Sequence, residues 1–118
     1  MDQAALIAAL KNQRRKWVDL PGGQGLRVLV RRPSETEFGR FRHGVTVDDV
    51  VHYVDGWDGF TEAAILGATV GAEDPVGFSQ DLWRELVSDR AAWVEPVAKA
   101  IVDAITGHLA ARDAAAGN

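Results

Sequence analysis

The sequence predicts an α+β fold: a small, mainly helical domain with an N-terminal β-hairpin at about residues 15–32, packed by four to six helices, the longest at the C-terminus. Three observations carry this. Two short runs of strand formers flank a glycine-rich turn near the N-terminus. Side chains that cap helices recur before runs of apolar residues at helical spacing. Near the C-terminus Val97, Ile101, Ile105 and Leu109 repeat every four residues over the longest uninterrupted stretch. With 118 residues, 47% of them hydrophobic and 25% charged, the chain has the composition of one globular domain. We expect that domain over residues 1–112, followed by a frayed tail at 113–118.

In chain order, Asp2 is placed to cap a short first helix, on which Leu6, Ile7 and Leu10 form an apolar stripe among alanines. Lys11, Arg14, Arg15 and Lys16 follow at its C-terminal end, where cations suit the helix dipole. Trp17-Val18-Asp19-Leu20 and Leu26-Arg27-Val28-Leu29-Val30-Arg31 are the hairpin strands, joined by Pro21-Gly22-Gly23-Gln24-Gly25. A period of two puts Val18, Leu20, Leu26, Val28 and Val30 on one face, the core face. Trp17, Asp19, Arg27, Leu29 and Arg31 share the other, which is mixed in character. That face, with Arg32 just beyond it, is the candidate partner surface: Trp17, Arg27, Leu29, Arg31 and Arg32 are the candidate binding residues, tryptophan and arginine being the types enriched at interface hot spots.

Pro33 stops the second strand, and Ser34 with Glu37 reads as a capping box for a short helix carrying Phe38 and Phe41. Thr46 and Asp49 read as the next helix start. Val47, Val50, Val51 and Val54 then follow at helical spacing, yet all are β-branched. The pattern favours helix over 47–55 and leaves strand open. Gly56-Trp57-Asp58-Gly59-Phe60 reads as a break, Thr61 as the cap of a short helix to Leu66, and residues 67–77 as a loop. Ser79 caps a helix that buries Leu82, Trp83, Leu86 and Val87. After a break near Asp89 the last helix runs from about Ala92 to Arg112. Pro96 suits only a first turn, so its regular part is expected to begin near Val94.

The charge is divided. Residues 1–43 hold nine Lys/Arg against four acids, and residues 44–118 hold four against thirteen, so halves of +5 and −9 make up the net −4. Opposed halves attract, within one chain or head to tail between copies. The six cations Arg14, Arg15, Lys16, Arg27, Arg31 and Arg32 would serve nucleic-acid binding, but a pI near 5.3 and the acidic remainder weigh against it.

Catalytic chemistry finds little support. There is no cysteine, so thiol catalysis and cysteine-ligated zinc are excluded. His43, His52 and His108 lack metal-ligand spacing, no serine stands in a nucleophile elbow, and the glycines of 22–25 belong to a hairpin turn rather than a phosphate loop. No catalytic residue, metal or cofactor is therefore expected. The opening Met1-Asp2-Gln3 has the character of a cytosolic chain, and no apolar run is long enough to span a membrane.

Taken in order, several motifs form a recognisable series. Trp17-Val18-Asp19-Leu20, the glycine turn and Val28-Leu29-Val30-Arg31-Arg32-Pro33-Ser34-Glu35 come first. Gly56-Trp57-Asp58-Gly59-Phe60 with Thr61-Glu62-Ala63 follows. Asp74-Pro75-Val76-Gly77-Phe78-Ser79, Leu82-Trp83, Asp89-Arg90, Trp93 and Pro96-Val97 complete it. This series, over roughly residues 15–105, resembles the small tail assembly chaperones of long-tailed bacteriophages. The resemblance implies a non-enzymatic, self-associating protein of the host bacterial cytoplasm that coats the tape measure protein before the tail tube polymerises around it. It also implies a frameshift-extended form whose extension contacts the tail tube protein. Gly117-Asn118 can be encoded GGA-AAC, which fits a slippery run if the preceding codon ends in G. Two other readings stay open: another small structural or completion protein of a phage tail or head–tail junction, and a small nucleic-acid-binding protein using the basic N-terminal third.

Overall fold

The computed structural model describes residues 1–67 and 71–117. Its elements are α1 (Gln3–Gln13), β1 (Arg15–Asp19), β2 (Arg27–Arg31), a 3-10 segment (Glu35–Phe41), α2 (Val47–His52), β3 (Val54–Asp58), α3 (Glu62–Leu66), α4 (Gln80–Ser88) and α5 (Ala91–Ala116). The fold is α+β, with the hairpin near the N-terminus and the longest helix at the C-terminus. Residues 68–70 of the expected loop, and Asn118 of the expected tail, lie outside the described residues.

The hairpin pairs as its pattern predicts, with Trp17 opposite Leu29 and Val18 opposite Val28. It does not stand alone. β3 adds to the far side of β2, giving an antiparallel sheet of order β1-β2-β3. This corrects two expectations: the valine-rich stretch is helix only through His52, and Gly56-Trp57-Asp58 is strand, not a break. The physical reason is a bulge. Leu29 faces Gly56 while Val30 faces Val54, so Asp55 is an extra residue on β3. Val54 and Trp57, three apart, both join the core face, and a three-residue spacing imitates a helix. The turn itself falls at Gly59, where φ is +85° and a Cβ would lie 2.8 Å from the Gly25 carbonyl oxygen.

The core lies between the inner face of the sheet and α2, α4 and α5. Val28, Val30 and Val54 from the sheet meet Val50 and Val51 of α2, Trp83, Leu86 and Val87 of α4, and Trp93, Val97 and Ile101 of α5. Trp83 and Trp93 stack with ring centroids 6.1 Å apart, and the fully buried Trp83 donates its indole N–H to the Val50 carbonyl at 3.2 Å. A buried indole keeps its donor satisfied in this way, so the large ring costs no orphaned hydrogen bond. Trp57 stacks on Phe60 at 4.2 Å and donates to the Val76 carbonyl, fixing β3 to the segment before α4.

The caps form as read: Asp2 accepts from Ala5, Thr46 from Asp49, Thr61 from Ala64 and Ser79 from Leu82. Glu37 reaches back to the Ser34 N–H at 2.9 Å, but the short helix it starts is wound as 3-10. Two boundaries of α5 differ from expectation. It begins at Ala91, so Pro96 sits in its second turn; the Ala92 carbonyl that Pro96 cannot serve belongs to an exposed residue. It also continues past Arg112 to Ala116, because an alanine-rich run keeps its helical preference even where nothing packs on it.

Candidate partner interface

The outer face of the sheet is the first candidate. Trp17 is 41% exposed, and Leu29 beside it is half-buried. Leu29 lies over Gly56, where a Cβ would sit 3.8 Å from its own, so the missing side chain there makes room for it. Trp17, Leu29 and Gly56 thus form a short apolar band across all three strands.

Charges bracket this band on both sides. Arg27 stacks its guanidinium 4.3 Å from the Trp17 ring and donates to Asp58 at 3.0 Å. At the other end Arg15 and Arg31 converge on Asp55, at 2.9 and 3.3 Å, and Arg31 also lies over the Tyr53 ring at 4.9 Å. The bulge residue is therefore what partners both arginines, its single charge offsetting one of the two. Asp55 and Asp58 come from the acidic half of the chain, so the basic face expected from the hairpin is largely neutralised within the monomer. The sequence reasoning missed these two acids because they lie on a strand it did not recognise.

Trp17, Arg27, Leu29 and Arg31 are thus brought together, but Arg32 is not. One residue past β2, it takes the opposite parity; its guanidinium donates to the Pro33 carbonyl at 2.8 Å and lies over Phe38. Burial, and next the neighbouring Arg14 guanidinium, lower its pKa.

Behind this face a polar network holds α2 and its C-cap Tyr53 to the 3-10 segment. The Tyr53 hydroxyl donates to Glu37 at 2.7 Å, and Arg40 approaches both the hydroxyl and Asp49. That hydrogen bond, ahead of those from Ser34, holds the Glu37 carboxyl at about 2. Burial first, and then the same carboxylate, push the Tyr53 phenol up to about 12.

Two further surfaces escaped the sequence reading. The stripe of α1 is uncovered: Leu6, Ile7 and Leu10 are each about half exposed, at 48, 53 and 52%, and no residue of α1 is buried. A groove of about 360 Å³ also runs between β1 and α5. Only the uncovered stripe had a signal in the sequence, since its apolar positions were visible but their lack of a partner was not. Among the described residues no group of three or more His, Cys, Asp or Glu is arranged to hold a metal, and no helix is long and apolar enough to cross a membrane.

No family model matches the chain, and neither the curated proteins nor the solved structures contain a match to it.

Proposed function

We propose that this chain is a non-enzymatic assembly chaperone of a long-tailed phage or prophage, acting in the bacterial cytoplasm and binding the tape measure protein while self-associating. The motif series over residues 15–105 suggests the family. The observation that carries the reading is the amount of apolar surface left without a partner: Leu6, Ile7 and Leu10 on α1, and Trp17 with Leu29 on the sheet. Uncovered apolar groups rimmed by charge are what a protein that holds a client presents. A helical client with apolar and charged stripes would lay its apolar stripe on Trp17 and Leu29 and meet the arginine–aspartate pairs at either side. Nucleic-acid binding is less favoured, because Arg15, Arg27 and Arg31 already have carboxylate partners. A frameshift-extended form that reaches the tail tube protein belongs to the same proposal.

Co-expression with the tape measure gene tests it. The client should co-purify with the wild-type chain. Leu29→Glu should keep the fold, since Leu29 is not part of the buried core, and should reduce co-purification severalfold by placing a charge in the apolar band. A client that fails to co-purify, or that is retained equally by Leu29→Glu, counts against this surface.

A further inference from the structure

β1 is an edge strand, and its free edge faces the groove beneath α5. Backbone phase is set by two bonds: Leu20 N–H to the Leu26 carbonyl at 2.9 Å and Arg32 N–H to the Arg14 carbonyl at 2.7 Å. Even-numbered residues of β1 therefore turn their backbone groups toward β2, and Arg15, Trp17 and Asp19 turn theirs to the open edge. The groove beside that edge has a floor of Val18, Val30, Ala100 and Ala104. Its volume of about 360 Å³ falls in the ~300–1,000 Å³ range of ligand-binding clefts. An open strand edge bordered by an apolar cleft and a helix is the arrangement that accepts an extended peptide as an added strand, main-chain bonds giving affinity and the cleft taking alternate side chains.

The rim gives the sign of the occupant. Arg14 and Lys16 line the groove and neither forms an ion pair among the described residues. Asp103, the acid on the rim, is already held by Lys99 at 2.6 Å. This corner of a chain with net charge −4 thus carries unpaired positive charge. A second copy docked edge to edge would bring its own Arg14, Arg15 and Lys16 into the same seam, so the charge favours a foreign acidic segment.

We propose that the groove between β1 and α5 binds an extended segment of a partner protein, added antiparallel or parallel to β1 as a fourth strand, in which every second residue faces the cleft and these cleft-facing residues are by turns apolar and acidic. Arg14, Lys16 and Val18 share one parity of β1, so a single face of the added strand presents apolar side chains to the cleft between Val18 and Ala104 and carboxylates to Arg14 and Lys16. The proposal rests on the strand edge and the groove and not on the function proposed above, which uses the outer sheet face; Trp17 borders both surfaces.

The test uses the full chain, isotopically labelled, titrated with a decapeptide in which threonine fills every second position and valine and glutamate take turns at the others, so that both face the cleft. Amide shifts should be confined to residues 14–19 and 96–104. The Trp17 and Asp19 amides should exchange with solvent at least about tenfold more slowly at saturation, since their N–H groups acquire partners. The lysine-for-glutamate peptide and the Lys16→Glu variant should each bind at least about tenfold more weakly. A decapeptide N-methylated at alternate residues should lose binding to the wild-type chain, a readout that does not depend on any variant folding. No binding up to about 1 mM, equal binding of the lysine peptide, or binding without protection of Trp17 and Asp19, as for a helix in the groove, would each overturn it. So would concentration-dependent shifts at β1 in the absence of peptide, which would assign the edge to a second copy.

Discussion

At the scale of single residues, the Glu37–Tyr53 hydrogen bond makes a prediction about acid stability. The folded carboxyl is held at about 2 against an ordinary 4.5. A pKa lowered in the folded state contributes stability that is fully present above pH 4.5 and is lost as pH falls through 4.5 toward 2. The loss is at most about 3.5 kcal/mol, since each pKa unit corresponds to ~1.4 kcal/mol. The phenol behaves oppositely: raised to about 12 from 10, it contributes below pH 10 and the contribution fades as pH climbs toward 12. Tyr53→Phe removes the donor and should cost about 1–3 kcal/mol at pH 7. Urea unfolding from pH 7 to 2 should show a flatter acid limb in the variant. If the two limbs run parallel, some other carboxylate governs the acid transition.

Among the elements, α1 and α5 differ in how they are held. Nothing in α1 is buried, and an isolated helix of eleven residues is marginal in water. The buried part of α5 is fixed by Trp93, Val97 and Ile101, and its later turns are tied to the 3-10 segment where Glu35 meets His108 and Arg112 at 3.2 and 2.6 Å. Removing residues 1–11 should therefore leave the melting temperature within about 2 °C of the full chain, because ~1 kcal/mol corresponds to several degrees in a domain of this size. Circular dichroism melts check this. A large drop would mean that Leu6, Ile7 and Leu10 are buried against something in solution, a second copy foremost.

Over the whole molecule, the opposed charges of the two halves meet in part inside one chain. Arg15 and Arg31 pair with Asp55, Arg27 with Asp58, and Arg40 with Asp49. Arg27–Asp58 is exposed on both partners, and in the other pairs the arginine keeps contact with solvent, so raising salt from 0.1 to 1 M, which shrinks the Debye length from ~10 to ~3 Å, should lower stability by less than about 1 kcal/mol. The pairs whose carboxylates are least exposed, Asp49 at 8% and Asp55 at 17%, should be the most resistant. Any head-to-tail oligomer held by charge should lose mass in light scattering over the same salt range. An unchanged mass would instead assign the association to the uncovered apolar groups of α1 and the sheet.

Local chemistry alone determined much of this fold. The caps at Asp2, Thr46, Thr61 and Ser79, the turn between β1 and β2, the two faces of the hairpin and the burial of Trp83 all follow from residues close together in the chain. Such signals are legible because a cap or a period of two acts over a few residues. The candidate face was legible in the same way, since Trp17, Arg27, Leu29 and Arg31 share one parity. What tertiary structure decided were the relations between distant segments. β3 exists as a strand because β2 has a free edge to pair with, and its bulge at Asp55 disguises its pattern as helical. That one strand turns a basic hairpin face into a neutralised one. The exposure of α1 and the groove beside β1 were decided there too, because an apolar stripe or a strand edge shows what it can bury or pair with, while only the packed chain shows what is left without a partner.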